Sequence, residues 1–238
     1  SYSVVFNQTN NIVIPDSAYA SGGLFYNGGL LFEPIQVQNA EYNGNGFYIE
    51  NLKINRPEQN YISLFGNSYI DVSRLHLKNV EIIGRDHVAG LSSVGEGGYS
   101  WFNFCSVSGN IRGNNYVGGI MDVVSMPVVE LIDICANYAN VTGNEYVGGL
   151  CGYQTTSILS SYNTGIITGN NYVGGLSGRI QQYEDYLGTY SPTRISGYNA
   201  GLVVCDSWNK GQIAGGIQVD NNFINANAYY LNRNNEKG

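Results

Sequence analysis

Charged residues are scarce in this chain, and most of them are acidic. Only 12% of the 238 residues are Asp, Glu, Lys or Arg, and the formal net charge is −7 at pH 7. Binding to nucleic acid and adsorption to anionic membranes both depend on clustered Lys and Arg. No apolar run approaches the roughly 20 residues of a spanning helix. We therefore expect no nucleic-acid partner and no direct membrane insertion.

Motifs for metal or nucleotide chemistry are also missing from the sequence. Its two histidines are His76 and His87, and its four cysteines contain no Cys-x-x-Cys pair. The sequence holds no HExxH motif and no phosphate-binding glycine loop. We therefore expect no cofactor and no metal site.

Glycine and tyrosine are abundant instead, with 32 and 20 residues. Together with frequent Asn, Ser and Thr, they are typical of an all-β chain with many turns. Hydrophobic residues make up 43% of the chain, which is enough to bury a substantial core.

One decapeptide recurs along the sequence. Its starts are 26 to 30 residues apart, except for a degenerate last copy that opens at Ile213. Each repeat holds short alternating stretches broken by Gly-Asn turns, which indicates strands rather than helices. The clearest copies are 111–120, 141–150 and 167–176, with weaker ones at 82–91 and 54–65.

This period predicts an all-β fold: a parallel β-helix, right-handed and three-sided, with one repeat per rung of about 26–30 residues. We expect one domain over 1–238. Residues 1–45 would form an opening rung or cap, 46–178 the regular rungs, 179–206 an insertion, and 207–238 the final rung and closing segment.

Equivalent residues of stacked rungs should form columns. Counting back from the repeated aliphatic residue predicts one inward column of His76, Cys105 and Cys135 followed by serines. This favours buried thiols over a disulfide for Cys105 and Cys135. A second column begins with Lys78 and Val107 and continues with asparagines, which predicts an asparagine ladder. Its asparagines are Asn137, Asn163 and Asn209.

The repeated Gly-Gly pair predicts a corner of the coil. The aliphatic residues on either side, such as Val117 and Ile120, are three apart, so a straight strand would point them to opposite faces. If both are buried, the chain must turn between them, as glycine permits. We expect Gly118-Gly119 and its equivalents at 148–149 and 174–175 to stack as one edge.

Segments 147–152 and 161–165 resemble the GLUG motif of bacterial secreted and surface proteins. The resemblance covers roughly residues 30–231 and implies an extracellular, adhesin-like or accessory module, often within a larger surface protein or lipoprotein. Some IgA-specific metallopeptidases carry the motif beside a catalytic domain. That activity does not transfer, because the HExxH motif is missing here.

Two features are candidates for binding. Strand alternation points Tyr116, Tyr146 and Tyr172 outward in a stack, with His87 above them. These rings could bind a sugar or a protein, or they could simply stabilise the sheet. The predicted insertion is the second candidate, since insertions in solenoids often carry binding sites. Its candidate residues are Tyr183, Glu184, Asp185, Tyr186 and Tyr190.

These features predict a non-catalytic binding or adhesion module at the bacterial cell surface, with a glycan or a host-cell protein as ligand. One alternative is a polysaccharide-degrading enzyme, since Asp122, Asp133 and Glu145 are the carboxylates that could approach one another. A purely structural stalk is the other alternative.

Overall fold

A computed structural model describes residues 4–93, 100–124, 131–154, 157–181, 194–206, 210–211, 214–218 and 225–230. Within these ranges the chain forms strands and two short 3-10 helices, at Asp16–Ala18 and Asn27–Gly29, with no α-helix. No helix in the described part is long and apolar enough to cross a bilayer.

The strands are numbered in chain order. They are β1 Val4–Asn7, β2 Ile12–Val13, β3 Gln38–Asn43, β4 Tyr48–Glu50, β5 Lys53–Asn55, β6 Tyr69–Ser73, β7 His76–Ile83, β8 Trp101–Asn103, β9 Ser106–Arg112, β10 Asn115–Gly118, β11 Met121–Val124, β12 Leu131–Asp133, β13 Ala136–Asn137, β14 Asn140–Thr142, β15 Glu145–Gly148, β16 Cys151–Gln154, β17 Ser157–Asn163, β18 Ile167–Gly169, β19 Asn171–Gly174, β20 Ser177–Gln181, β21 Arg194–Asn199, β22 Val203–Cys205, β23 Lys210–Gly211, β24 Ala214–Gln218 and β25 Asn225–Tyr230.

These strands build a parallel β-solenoid, which confirms the predicted fold class. One sheet has 17 strands, and two others have four strands each, in the orders β10-β15-β19-β23 and β11-β16-β20-β24. From β8 to β24 each turn of the chain contributes to all three sheets, so the coil is three-sided. The right-handed sense stays a prediction.

The core is a set of aliphatic columns. Ile82, Ile111, Val141 and Ile167 pair in succession and are almost wholly buried. The second sheet holds a parallel column in which Val117, Val147 and Val173 have no exposed surface. Stacking equivalent residues therefore buries apolar surface along the whole axis, which is the main stabilisation of such a fold.

The last predicted rung is out of register. The repeat predicts Ile213 as the residue that follows Ile167 in the aliphatic column, but Ile167 pairs with Val203. Strand β21 pairs with β17, so 194–199 and 203–205 are part of a coil and do not belong to an insertion. The insertion predicted over 179–206 is therefore too long. Only 182–193 of that span lies outside the described residues.

The placement of His76 and Lys78 in inward columns is also wrong. The register between β7 and β9 shifts between Leu77 and Val80, so that Leu77 pairs with Val107. Leu77 is buried, whereas Lys78 is exposed. Asn79 has a left-handed backbone (φ 51°) at this point, as in a bulge that adds one residue to a strand. The extra residue reverses the facing of the residues before it.

Candidate functional site: an aromatic column

The repeated glycine pairs form the corner beside the candidate site. Each pair lies where one four-stranded sheet gives way to the next: Gly118 ends β10, and the chain bends at residues 119–120 before β11. A Cβ atom on Gly119 would collide with the carbonyl oxygen of Gly149, and one on Gly149 with that of Gly175. The corner predicted from the sequence is confirmed, and only glycine fits it.

Next to this corner, five aromatic rings stack along the solenoid axis. The column, called the aromatic column below, runs through consecutive coils with centroid separations of 4.7, 4.7, 4.8 and 5.1 Å. Neighbouring ring planes differ by 18° or less. The rings belong to Tyr61, His87, Tyr116, Tyr146 and Tyr172.

The rings point outward for a different reason from the one predicted. Simple alternation assumes an extended backbone. All five residues instead have a left-handed backbone conformation, with φ of 61° at Tyr61, 57° at Tyr116 and 49° at Tyr172. In β10 and β15 the pairing joins Asn115 and Val117 to their partners and skips the residue between them. Left-handed residues also recur in a second column, at Phe104 and Ile134. The conformation is therefore a property of the coil bends and does not by itself mark a site.

Stacking determines which atoms the aromatic column offers. The inner rings cover each other's faces, so they present edges and hydroxyl groups to solvent, and all five side chains are half-buried. Within the described part of the chain, the hydroxyls of Tyr61, Tyr116 and Tyr172 have no hydrogen-bond partner, whereas Arg179 Nη1 donates to Tyr146 Oη at 3.4 Å. The column thus presents four phenol hydroxyls and the edge of the His87 ring rather than a flat platform of ring faces.

Tyr153 and Arg179 flank the lower half of this row. The Tyr153 ring stands at 75° to Tyr116 and at 90° to Tyr146. The Arg179 guanidinium carbon lies 5.2 Å from the Tyr172 ring centre, within cation–π range. Burial is the main cause that raises the pKa of both Tyr116 and Tyr153. Both hydroxyls are neutral at pH 7, as tyrosine hydroxyls ordinarily are, and a neutral hydroxyl can donate as well as accept hydrogen bonds.

Asp122 anchors the upper half. Its side chain is fully buried, and its Oδ2 atom lies 2.8 Å from Nδ1 of His87. The bond fixes the His87 ring between Tyr61 and Tyr116, and it gives the buried carboxylate a partner. Sequence reasoning placed His87 in the stack but missed this link. The sequence does hold a signal for it: Asp122 stands at the position that glycine occupies in the next two rungs, as Gly152 and Gly178.

The three carboxylates considered for catalysis lie in three different sheets. Asp122 is in β11, Asp133 in β12 and Glu145 in β15. Asp133 accepts a hydrogen bond from Asn103 at 3.2 Å, and Glu145 accepts one from Asn171 at 3.0 Å. Among the described residues, no group of three or more His, Cys, Asp or Glu side chains could hold a metal ion.

The polar ladder of the interior contains Asn199 where Asn209 was predicted. Nδ2 of Asn137 donates to Asn163 Oδ1 at 2.7 Å, and Nδ2 of Asn163 donates to Asn199 Oδ1 at 2.7 Å. Each amide also bonds the backbone two residues ahead, as at Gly165. Asn209 lies outside the described residues. Its placement followed from the wrong register at Ile213.

The cysteine column needs one correction as well. Cys105 and Cys135 are aligned in neighbouring coils, both buried and neither in a disulfide. Ser161 follows them and accepts a hydrogen bond from the Cys135 backbone amide, and Gly197 comes next in place of Ser207. Burial, followed by the contact with Cys105, raises the pKa of the Cys135 thiol well above its usual range.

The second predicted binding region cannot be compared with the first. Its residues lie outside the described ranges. They are Tyr183, Glu184, Asp185, Tyr186 and Tyr190.

One solved structure shares the solenoid. It is the 1.30 Å crystal structure of a Bacteroides ovatus protein provisionally described as an immunoglobulin A1 protease. The two chains superpose with a TM-score of 0.63 at 19% identity, over 95% of this chain and 68% of that one. At this identity the likeness shows the fold alone. No protein-family model matches the sequence. No curated protein matches it significantly.

Proposed function

We propose that this chain is a non-catalytic, extracellular binding module of a bacterial surface protein. Its binding surface is the aromatic column, and its ligand is a glycan or a protein outside the cell. The rest of the solenoid is a rigid rod that holds this surface in place. The location is supported by the likeness in fold to a Bacteroides ovatus protein that is provisionally described as a protease of immunoglobulin A1, an antibody found outside cells.

The observation that carries the proposal is the continuous row of half-buried aromatic edges, in which three hydroxyls have no partner among the described residues. Aromatic residues with a polar tip are enriched at binding surfaces because they combine apolar contact with hydrogen bonding. The row is also preorganised, since stacking and the Asp122 bond fix the rings before any ligand arrives. Preorganisation lowers the entropy lost on binding.

A screen of immobilised glycans and host-surface proteins tests the proposal, using the wild-type chain and the Tyr116→Ala, Tyr146→Ala double variant. We expect at least one ligand that the double variant binds about tenfold or more weakly. Tyr138→Ala is the matched control, because Tyr138 is an exposed tyrosine of the large sheet, away from the column. Ligands lost equally with both variants, or with neither, would contradict the proposal.

The second candidate is a glycan-cleaving enzyme, favoured by the His87–Asp122 pair beside an aromatic surface. A buried carboxylate that orients a histidine is a common catalytic arrangement. Incubation with polysaccharides and measurement of new chain ends would decide between the two. Release of chain ends that Asp122→Asn abolishes would support the enzyme and refute the binding module.

A further inference from the structure

The aromatic column has a direction and a repeat, and both restrict its ligand. We infer that it binds a neutral, extended polysaccharide whose chain runs parallel to the solenoid axis, with successive sugars hydrogen-bonded to successive coils. This inference rests on the proposed function and specifies its ligand.

The repeat is the first support. Neighbouring rings are 4.7 to 5.1 Å apart along the axis, which is set by the spacing of paired strands. That distance is close to the length of one pyranose unit in an extended, β-linked chain. A ligand with the same repeat can offer one hydroxyl group to each coil. A compact, globular epitope has no such repeat.

The second support is the chemistry of the row. Neutral phenol hydroxyls both donate and accept, as sugar hydroxyls do, so the two sets are complementary. Tyrosine hydroxyls are neutral at pH 7, and burial raises the pKa of Tyr116 and Tyr153 above the usual value, which extends their neutral range into alkali. Tyr153 stands nearly at right angles to Tyr116 and Tyr146, so it adds an aromatic ring of a different orientation beside the row.

Charge is the third support, because it argues against an acidic polysaccharide. Arg179 and Glu145 shift the pKa of Tyr116 in opposite directions. Farther up the row are the His87–Asp122 pair and the Arg85–Asp86 pair, which immediately precedes His87. Positive and negative side chains therefore lie near one another along the column. The chain as a whole has a formal net charge of −7. A run of uronates would meet the carboxylates of Glu145 and Asp86 as well as the two arginines, and those carboxylates repel it. A neutral chain avoids this repulsion.

The test is titration calorimetry with neutral β-1,4- and β-1,3-linked glucan oligosaccharides of increasing length, from about two to about six sugars. The α-linked maltohexaose and an oligogalacturonate serve as comparisons. We expect the affinity for a β-linked chain to rise with length until the chain spans the column, since each added sugar contacts the edge of one more ring. Equal affinity for short and long chains, or a preference for the oligogalacturonate, would overturn the inference.

Hydroxyl deletions give the residue-level test. Tyr116→Phe and Tyr172→Phe keep the ring stack and remove only the hydroxyl, so each should weaken binding of the long oligosaccharide about three- to tenfold. Tyr138→Phe is the control and should change nothing. If no oligosaccharide binds while a protein ligand still depends on Tyr116 and Tyr146, the inference fails and the proposed function stands. If neither a glycan nor a protein ligand depends on the column, both fail.

Discussion

Two ladders of this solenoid are built by the same repeat and have opposite characters. The interior ladder of Asn137, Asn163 and Asn199 is buried, and its amides bond both to each other and to the backbone. The aromatic column is half-exposed, and three of its hydroxyls have no partner within the described residues. Satisfied polar groups in the core hold the coils in register. Unsatisfied groups at the surface remain available to a ligand.

The largest effect is expected in the interior ladder. Asn163→Ala removes a side chain that accepts from Asn137 and donates to Asn199, and it leaves the Gly165 amide and the Asn137 Nδ2 atom short of partners. Buried groups without partners cost about 1 to 3 kcal/mol each, so we expect a loss of about 3 kcal/mol or more in the free energy of unfolding. Chemical denaturation measures it.

Asn140→Ala is the matched control for that variant. Asn140 also joins its neighbour Asn110 in a ladder, but both side chains are exposed. Asn140 Oδ1 also accepts a hydrogen bond from the Ile166 backbone amide at 3.2 Å. Both bonds are exposed and water can replace them, so the loss should stay below about 1 kcal/mol. Equal losses of unfolding free energy in the two variants would contradict the claim that burial makes the interior ladder more important for stability.

The glycine corner should be nearly as sensitive. In Gly149→Ala the new Cβ atom meets the backbone oxygen of Gly175, which cannot move without shifting the next coil. We expect about 2 to 3 kcal/mol of destabilisation. Gly28→Ala has a left-handed backbone but nothing within 4 Å of its Cβ, so it should lose only about 1 kcal/mol. Thermal unfolding of both variants checks the difference.

Substitutions in the aromatic column should weaken ligand binding more than they lower the free energy of unfolding. Tyr116→Ala removes the ring between His87 and Tyr146, which should lower the free energy of unfolding by about 1 to 2 kcal/mol. Tyr116→Phe keeps the stack and should change stability by less than about 0.5 kcal/mol. Denaturation of the three proteins measures both effects. A Phe variant as unstable as the Ala variant would show that the hydroxyl is part of the folded framework.

A second tyrosine cluster predicts a loss of stability in alkali. Hydrogen bonding to the Tyr138 hydroxyl is the main cause that raises the pKa of Tyr162 to about 12, from 10.0. The folded protein thus favours neutral Tyr162, and this stabilisation is complete below pH 10 and lost as the pH rises towards about 12. Tyr162→Phe should flatten that part of the decline. Denaturation curves from about pH 9 to about pH 12 test it, and an unchanged decline would contradict the assignment.

The smallest effect concerns the thiols. Cys105, Cys135 and Cys151 are buried, whereas Cys205 is half-buried. A buried thiol with a raised pKa reacts slowly, because the thiolate is the nucleophile. We expect a thiol reagent to modify Cys205 in the folded protein and the other three only after unfolding. Mass spectrometry of the labelled peptides shows which cysteine reacts, and rapid labelling of Cys135 would contradict its buried position.

The sequence predicted the solenoid and most of its columns because near-identical decapeptides fix the period and the facing of their residues. It failed where the repeat is interrupted. Ile213 looked like the repeated aliphatic residue, yet Val203 occupies that position, and the interval from Ile167 to Val203 is longer than the earlier ones. Lys78 was misplaced by one extra residue in β7, and such a bulge leaves no clear mark in a single sequence.

The candidate site was predicted only in part. The repeat register placed His87, Tyr116, Tyr146 and Tyr172 together, because equivalent residues must stack. It could not show that the rings cover each other's faces, since that follows from left-handed backbone at each ring. The Asp122 partner of His87 comes from the next coil, and Tyr153 and Arg179 from a neighbouring sheet. Contacts between sheets depend on the shape of the corner, which sequence spacing does not specify.

Footprinting of the tyrosines tests the central claim most directly. Hydroxyl-radical labelling of the folded chain, with and without a saturating bound ligand from the screen, reports which side chains the ligand covers. We expect protection at Tyr61, Tyr116 and Tyr172 and unchanged labelling at Tyr138. Protection at Tyr138 or Trp101, with the column labelled as before, would show that the ligand binds elsewhere on the solenoid.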